Sequence, residues 1–277
     1  MIVDMIPLRD ELDLFELRLH ELGGFVDQFV VIQGHETFAG KAKPIHFDPT
    51  DARWSAWAGR ISTMVLPRDP GARSRWKRER ETRHRMTSLL DAYQPDDVVI
   101  LSDADEIPDV AVLREWIPLL RPSCWFGFDT TLSYYYMNLV VPKRWACIAV
   151  AQVGTAKAIG MQSLRHLRKH PPMGLKTGGW HFAYLGGVVG VQEKLHASAH
   201  MEYDTPQYTD LGLITQRIAD KVDFYDPRTP LHEVSIGTLP VTVQRHPDRY
   251  AQYLVPSDSR VRVHARPRPG VLVDSVV

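Results

Sequence analysis

Short, mainly apolar runs recur through the first hundred residues, separated by stretches with helical spacing. Met1 to Ile6 is the first, closed by Pro7; Phe29 to Ile32, Ile61 to Leu66 and Val98 to Leu101 follow. Such runs read as strands, and the last, with four β-formers in a row, as one buried on both faces of a parallel sheet. Between the first two, Leu12, Phe15, Leu19 and Leu22 fall along one side of a helix that Asp10-Glu11 opens and Gly23-Gly24 stops. That β-α-β start predicts a doubly wound α/β sheet, mostly parallel.

Further along, Cys124 to Asp129 and Leu132 to Val141 read as two strands, the second carrying Tyr134-Tyr135-Tyr136, which suits either a core or a platform under sugar rings. Residues 145 to 170 give a mixed pattern ending in Arg165-His166-Leu167-Arg168-Lys169-His170. Glycines bracket the aromatic segment from Gly178-Gly179 to Gly186-Gly187, predicting a strand with close backbone approach at its ends. Val188 to Ala199 has helical spacing. Prolines recur after residue 226, predicting an irregular wrap. The expected organisation is one domain over 1–255 and a poorly ordered tail over 256–277.

Composition narrows the function classes. Lys+Arg and Asp+Glu both count 33 in 277 residues, so no global field recruits nucleic acid or membrane, and electrostatic function must be local. No apolar run reaches the length of a membrane span, and residues 1–7 lack the basic and apolar regions of a signal peptide. Cys124 and Cys147 form no metal or disulfide framework, which places the expected protein in a reducing cytoplasm.

The chemistry concentrates where the central strand ends. Val98 to Leu101 runs into Ser102-Asp103-Ala104-Asp105-Glu106-Ile107-Pro108, with Asp109 placed to cap a helix. Open α/β sheets bind ligands beyond the carboxyl ends of their strands. Two aspartates spaced i, i+2 on a turn can converge hard oxygen ligands on Mn²⁺ or Mg²⁺, ions that also bind substrate phosphates. The most charged stretch, residues 73 to 85, holds six arginines with Lys77 and His84 against Glu79 and Glu81. It reads either as a solvated helix with pairs such as Glu79–Arg83, or as a source of arginines for a diphosphate. On the second reading Arg73, Arg75, Arg78 and Arg80, near the helix start, are better placed than Arg85.

An ordered set of segments resembles glycosyltransferase family 17. Asp10-Glu11-Leu12-Asp13-Leu14 with Glu16-Leu17-Arg18-Leu19 and Glu21-Leu22 is similar to the family's opening helix. Thr37-Phe38, Gly40-Lys41 and Lys43-Pro44 resemble its next loop, and Trp76, Glu79 and Arg83 fall at the spacing of its Trp-x-x-Glu-x-x-x-Arg helix. Asp97 through Pro108 is similar to its acidic turn, and Gly179-Trp180-His181-Phe182 with Lys194-Leu195 to its Gly-Trp-His segment. The likeness covers roughly residues 2 to 200, and more loosely Leu239-Pro240 to Tyr253.

The resemblance implies a GT-A fold, a nucleotide-sugar donor (a UDP-sugar favoured), a divalent metal and inversion at the anomeric carbon. The expected reaction moves N-acetylglucosamine or another hexose to a hydroxyl of a glycan or small-molecule acceptor. Asp103 and Asp105 are the expected metal ligands, with His181 third and His200 in reserve. Asp103, Arg83, Lys41 and Trp180 are the expected donor contacts. Gly187-Val188-Val189 stands where relatives carry a carboxylate, so the likeness does not assign the base, and Asp129, Glu193, Glu202 and Asp204 are candidates. Three rivals stay open: transfer to hydroxylated bases in DNA, motivated by basic clusters at 73–85, 165–170 and 260–268; a metal-dependent nucleotidyltransferase or phosphohydrolase; and a glycan-binding module without catalysis.

Overall fold

In the computed structural model, which describes residues 1–69, 71 and 74–256, one mixed sheet organises the chain. Its amino-terminal half is parallel as expected: β1 (Ile2–Pro7) lies between β2 (Gln28–Gly34) and β4 (Val98–Leu101), with β3 (Ile61–Leu66) at the edge beyond β2. The register sets Met5 against Val30 on one side and Leu101 on the other. Every residue of β4 is buried, because side chains pack on both faces of this half. Helix α1 (Leu12–Leu22) covers one face with Phe15, Leu19 and Leu22. Helix α2 (Arg75–Leu89) contributes Met86 to the other.

Beyond β4 the sheet departs from the expected parallel order. β6 (Trp125–Tyr134) and β7 (Leu139–Gln152) are a long antiparallel hairpin, and β7 runs antiparallel to β4. The physical reason lies in the connection: only residues 135–138 join the two strands, far too few for the crossover that parallel strands need. The run expected as two strands breaking before Leu132 is one strand through Tyr134, and Tyr135 turns the chain at φ 66°. Tyr134 and Tyr135 are buried in an aromatic core, while Tyr136 is only partly buried.

β8 (Leu175–Ala183) lies parallel to β6, and the short β5 (Glu106–Ile107) pairs antiparallel with β8. This pairing matters most for function, because it sets Glu106 opposite His181 and Ile107 opposite Trp180. Gly179, at φ 73°, permits it: a Cβ there would stand 2.6 Å from the Ile107 carbonyl oxygen. Helix α3 (Val110–Trp116) follows the acidic turn, and residues of the mixed stretch form the end of β7 and two short helices, α4 (Val153–Ile159) and α5 (Met161–Leu167). Helix α6 (Gly187–Ala197) packs Val188, Val191 and Leu195 into the aromatic core.

The proline-rich wrap contains short helical turns whose Leu239, Val243, Tyr250 and Leu254 cover Leu14, Leu17 and Phe182. No helix among the described residues is long and apolar enough to cross a membrane. Arg73, the basic cluster at 260–268 and the tail expected to be poorly ordered, from residue 257 on, lie outside the described residues.

Candidate active site

The carboxyl ends of the parallel strands open into a cleft of about 1220 Å³, bordered by Arg9, Gly34, Leu66, Asp103, Asp105 and His181. The acidic turn forms its floor, where the strand-end rule places a ligand. Arg18 builds that floor from below. It lies on the inner side of α1 with no exposure, donates to both Asp4 oxygens at 2.6 Å and to Ser102 Oγ at 2.6 Å, and reaches the carbonyls of Asp103 and Glu106. One guanidinium thereby ties β1, β4 and the turn together.

Arg165 braces the turn from α5, tying it to the Cys147 carbonyl of β7. Met161 and Leu164 face the core on that short helix and carry Arg165 inward with them. Its two terminal nitrogens donate to the Glu106 oxygens at 2.6 Å each, and one also donates to Asp103 Oδ2 at 2.7 Å. Burial lowers the Arg165 pKa, but Asp103 and Glu106 outweigh it and hold the group well above its ordinary value. Glu106 also accepts the Asp103 backbone N–H at 2.8 Å, so its carboxylate is occupied in fixing the turn.

Asp103 and Asp105 face the cleft with different partners. The Asp103 side chain is 36% exposed and accepts from Arg83 at 3.1 Å as well as from Arg165. Asp105 is almost buried, accepts from Lys194 Nζ of α6, and lies 3.6 Å from His181 Nε2. Burial raises the pKa of both carboxyls. Arg165 and Arg83 around Asp103, and Lys194 and His181 around Asp105, outweigh it, so both stay below the ordinary carboxylate range. Lys194 shifts the opposite way: burial lowers it, Asp105 and then Glu11 raise it, and the net is upward.

These residues fit a divalent cation in kind: two ionised hard-oxygen donors and an imidazole line one cleft. The His181 Nδ1 is buried without a hydrogen-bond partner, leaving the ring held by its pairing strand and by Asp105. The expected trio is not gathered to bonding distance, however. Among the described residues, Glu106, Cys147 and His181 are the three potential donors whose atoms all lie within 4.8 Å of one another. That set is a poor site, since Arg165 saturates Glu106 and burial, followed by the Glu106 charge, pushes the Cys147 thiol well up.

The remaining expected residues separate clearly. Arg83 borders the cleft, paired with Glu79 and Asp103. His200 borders it too, bonded to Glu202 at 2.6 Å and set edge-on to Trp76 at 4.7 Å. Trp180, one residue from His181 on β8, packs toward the wrap and donates its Nε1–H to the Thr238 carbonyl at 3.0 Å. Lys41 is exposed and does not line the cleft, whereas Lys43, with its ammonium 3.2 Å from the Arg9 carbonyl, does. Of the base candidates, Asp129 pairs with Arg144 at 3.3 Å and Asp204 with Arg75 and His196 at 2.5 Å each, both away from the cavities. Glu202 is held by His200 on the surface, and Glu193 lines not the cleft but a second cavity beside it.

Sequence reasoning left Arg18, Arg165 and Lys194 without a role. The available signals carried no chemistry: Arg18 falls within the apolar helical stripe, Lys194 lies on a glycine-started helix, and both belong to the family-like segments only as matched letters.

The chain is similar to known proteins. The chain is 33% identical over 180 residues to the β-1,4-mannosyl-glycoprotein 4-β-N-acetylglucosaminyltransferases of Homo sapiens and of Rattus norvegicus, a stretch that is 61% of this chain. The same protein of Mus musculus is 33% identical over 115 residues, 39% of this chain. The matched stretch spans only a third of the human and rat relatives' length (33%). A solved galactosyltransferase, LgtC, aligns over 78% of this chain at 10% identity and a TM-score of 0.33, too loosely to define the fold. The profile of glycosyltransferase family 17 matches residues 1–227, from β1 through the acidic turn to the helix that delivers Lys194, and the chain belongs to that family.

Proposed function

We propose that this chain is a metal-dependent inverting glycosyltransferase. It moves N-acetylglucosamine or another hexose from a nucleotide diphosphate, UDP favoured, to a hydroxyl of a glycan or small molecule. The observation that carries this reading is the cleft itself: in a family 17 chain, it sets the ionised Asp103 and Asp105 at the ends of parallel strands beside Arg83, Lys43 and Lys194. The named activity of the mammalian relatives supports the choice of sugar.

Asp103, Asp105 and His181 would hold Mn²⁺ or Mg²⁺, which when bound offsets the charge gathering on the departing diphosphate. The protein's own groups do the rest. Arg83 keeps Asp103 oriented and presents positive charge at the cleft floor. Lys194 neutralises Asp105 and stands beside the path of the phosphates. Arg18 and Arg165 hold the turn rigid, so little reorganisation is needed as charge develops.

The basic helix does not favour transfer to nucleic acid. Arg75 pairs with Asp204, Arg78 with Glu36, and Arg83 with Glu79 and Asp103, so three of its arginines are spent inside the protein, while Arg85 pairs with Glu81 at the surface. The reading is tested by thermal stabilisation with UDP in Mn²⁺ and in EDTA, alongside transfer from UDP-N-acetylglucosamine. A tight donor raises the melting temperature by mass action. Stabilisation by UDP that is equal in EDTA, and persists in Asp105→Ala, defeats the metal-dependent reading.

A further inference from the structure

The reaction lacks a base, and the carboxylates first considered for it stand away from the cleft or on one side of it. A second cavity, of about 1730 Å³, adjoins the cleft and shares a wall with it. That wall consists of Arg9, Glu11, Thr37, Lys43, Lys194 and Ala197. Tyr136 and Tyr253 border the larger cavity, offering aromatic surface among polar groups, a lining that suits a saccharide acceptor.

We propose that Glu11 is the catalytic base: among the described residues it is the one carboxylate that lines both the cleft with the acidic turn and the cavity beside it. The assignment rests on the sugar-transfer reading above. A base must touch a hydroxyl held on one side while that hydroxyl reaches an anomeric carbon held on the other. Only a residue in the shared wall meets both demands.

The local structure prepares Glu11 for this. It lies just before α1, where the chain leaves β1 at the cleft. Its Oε2 accepts the backbone N–H groups of Arg9 at 3.2 Å and Asp10 at 3.3 Å, which fixes the carboxylate plane. Its Oε1 lies 3.6 Å from the Arg9 guanidinium, a looser contact, and the side chain keeps 15% of its surface exposed. The Glu11 charge is felt by Lys194, which sits on Asp105, so the base and the acidic turn flank a single ammonium. Outside the acidic turn, the other carboxylates of the cleft are engaged elsewhere: Glu36 with Arg78, Asp69 with the Gly71 N–H and Lys77, Glu79 with Arg83, and Glu81 with Arg85.

In the step, the acceptor oxygen forms a bond to the anomeric carbon as the bond from that carbon to the diphosphate oxygen breaks. The diphosphate leaves with the electron pair, and the acceptor's proton passes to Glu11. Nothing else is consumed. The proton later returns to solvent through the open cleft.

The test uses the full chain with Mn²⁺, UDP-N-acetylglucosamine as donor and methyl β-mannoside as acceptor, and counts donor hydrolysis as transfer to water. Glu11→Gln keeps an oxygen for the two backbone N–H groups and removes the basicity, so kcat should fall about 100-fold or more while UDP affinity and melting temperature hold. The acid limb of the parent's kcat profile should vanish in Glu11→Gln, and Glu11→Asp, also the fallback should Glu11→Gln fail to fold, should recover part of the rate. A Glu11→Gln rate above about a tenth of the parent's, a loss confined to KM, or a larger kcat loss in Glu193→Gln overturns the assignment. A parent that binds UDP yet neither glycosylates the mannoside nor hydrolyses the donor overturns the sugar-transfer reading, and the base with it.

Discussion

Lys194 Nζ rests on Asp105 Oδ2, bringing the last turn of α6 onto the acidic turn 89 residues earlier in the chain. The turn therefore carries a cation of its own in the position a metal ligand would offer to a divalent ion. Any such ion must share Asp105 with an ammonium or displace it.

Lys194→Met should separate the two roles of that pair. Removing the ammonium leaves a nearly buried carboxylate uncompensated, a loss of up to about 3 kcal/mol given the partial exposure of the lysine. The same change frees Asp105, so Mn²⁺ alone should bind more tightly than to the parent. Calorimetric titration with MnCl₂ reads this directly, and weaker Mn²⁺ binding would show that Lys194 supports the ion rather than competing with it.

The pair also fixes the direction of pH effects. Asp103 and Asp105 are depressed in the folded state, so their contribution is present above the unfolded carboxylate value of about 3.9 and is lost as acid drives pH down through the folded values. Lys194 is raised, so its share is complete below about 10.4 and is lost as pH climbs through its folded value. Urea midpoints should therefore be level between about pH 5 and 9 and fall on both sides. Asp105→Asn should shorten the acid limb; an unchanged limb would place the titrating groups elsewhere.

Arg165→Met should be the most destabilising of these changes. The side chain is nearly buried and serves Asp103 and both oxygens of Glu106, so its removal strands buried negative charge at a cost of about 3–5 kcal/mol. Chemical denaturation measures that loss. A change below about 1 kcal/mol would mean that Glu106 finds water or another donor.

Two adjacent residues on β8 should behave oppositely. His181→Ala should weaken UDP binding in Mn²⁺ by about 1–3 kcal/mol, as expected for a lost polar contact at the cleft. Trp180→Phe loses the bond to the Thr238 carbonyl, should lower stability by about 1 kcal/mol, and should leave UDP affinity alone. Titrations of both variants decide it, and equal effects on affinity would contradict the division of β8 into a cleft face and a wrap face.

Local pattern was enough for the parallel half of the protein. Runs such as Val98 to Leu101 can be satisfied only by burial on both faces, the i, i+3, i+4 stripe of α1 has one way to pack, and Asp109 caps its helix through the Ala111 N–H as its position required. The acidic turn followed from its strand, because a strand's end is where side chains are released toward a ligand. The sense of β6 and β7 was not legible, since hydrophobic alternation is the same for parallel and antiparallel pairs and only the short link at 135–138 decides. The charged partners of the turn were still less so. Arg18, Arg165 and Lys194 come from three helices at distances of 59 to 89 residues from their carboxylates or, for Arg18, 14 residues from Asp4. Sequence can show a charge on a helix, but whether it faces water or a buried carboxylate depends on how that helix packs. That same packing sets Glu11 between two cavities, and leaves Trp180 outside both.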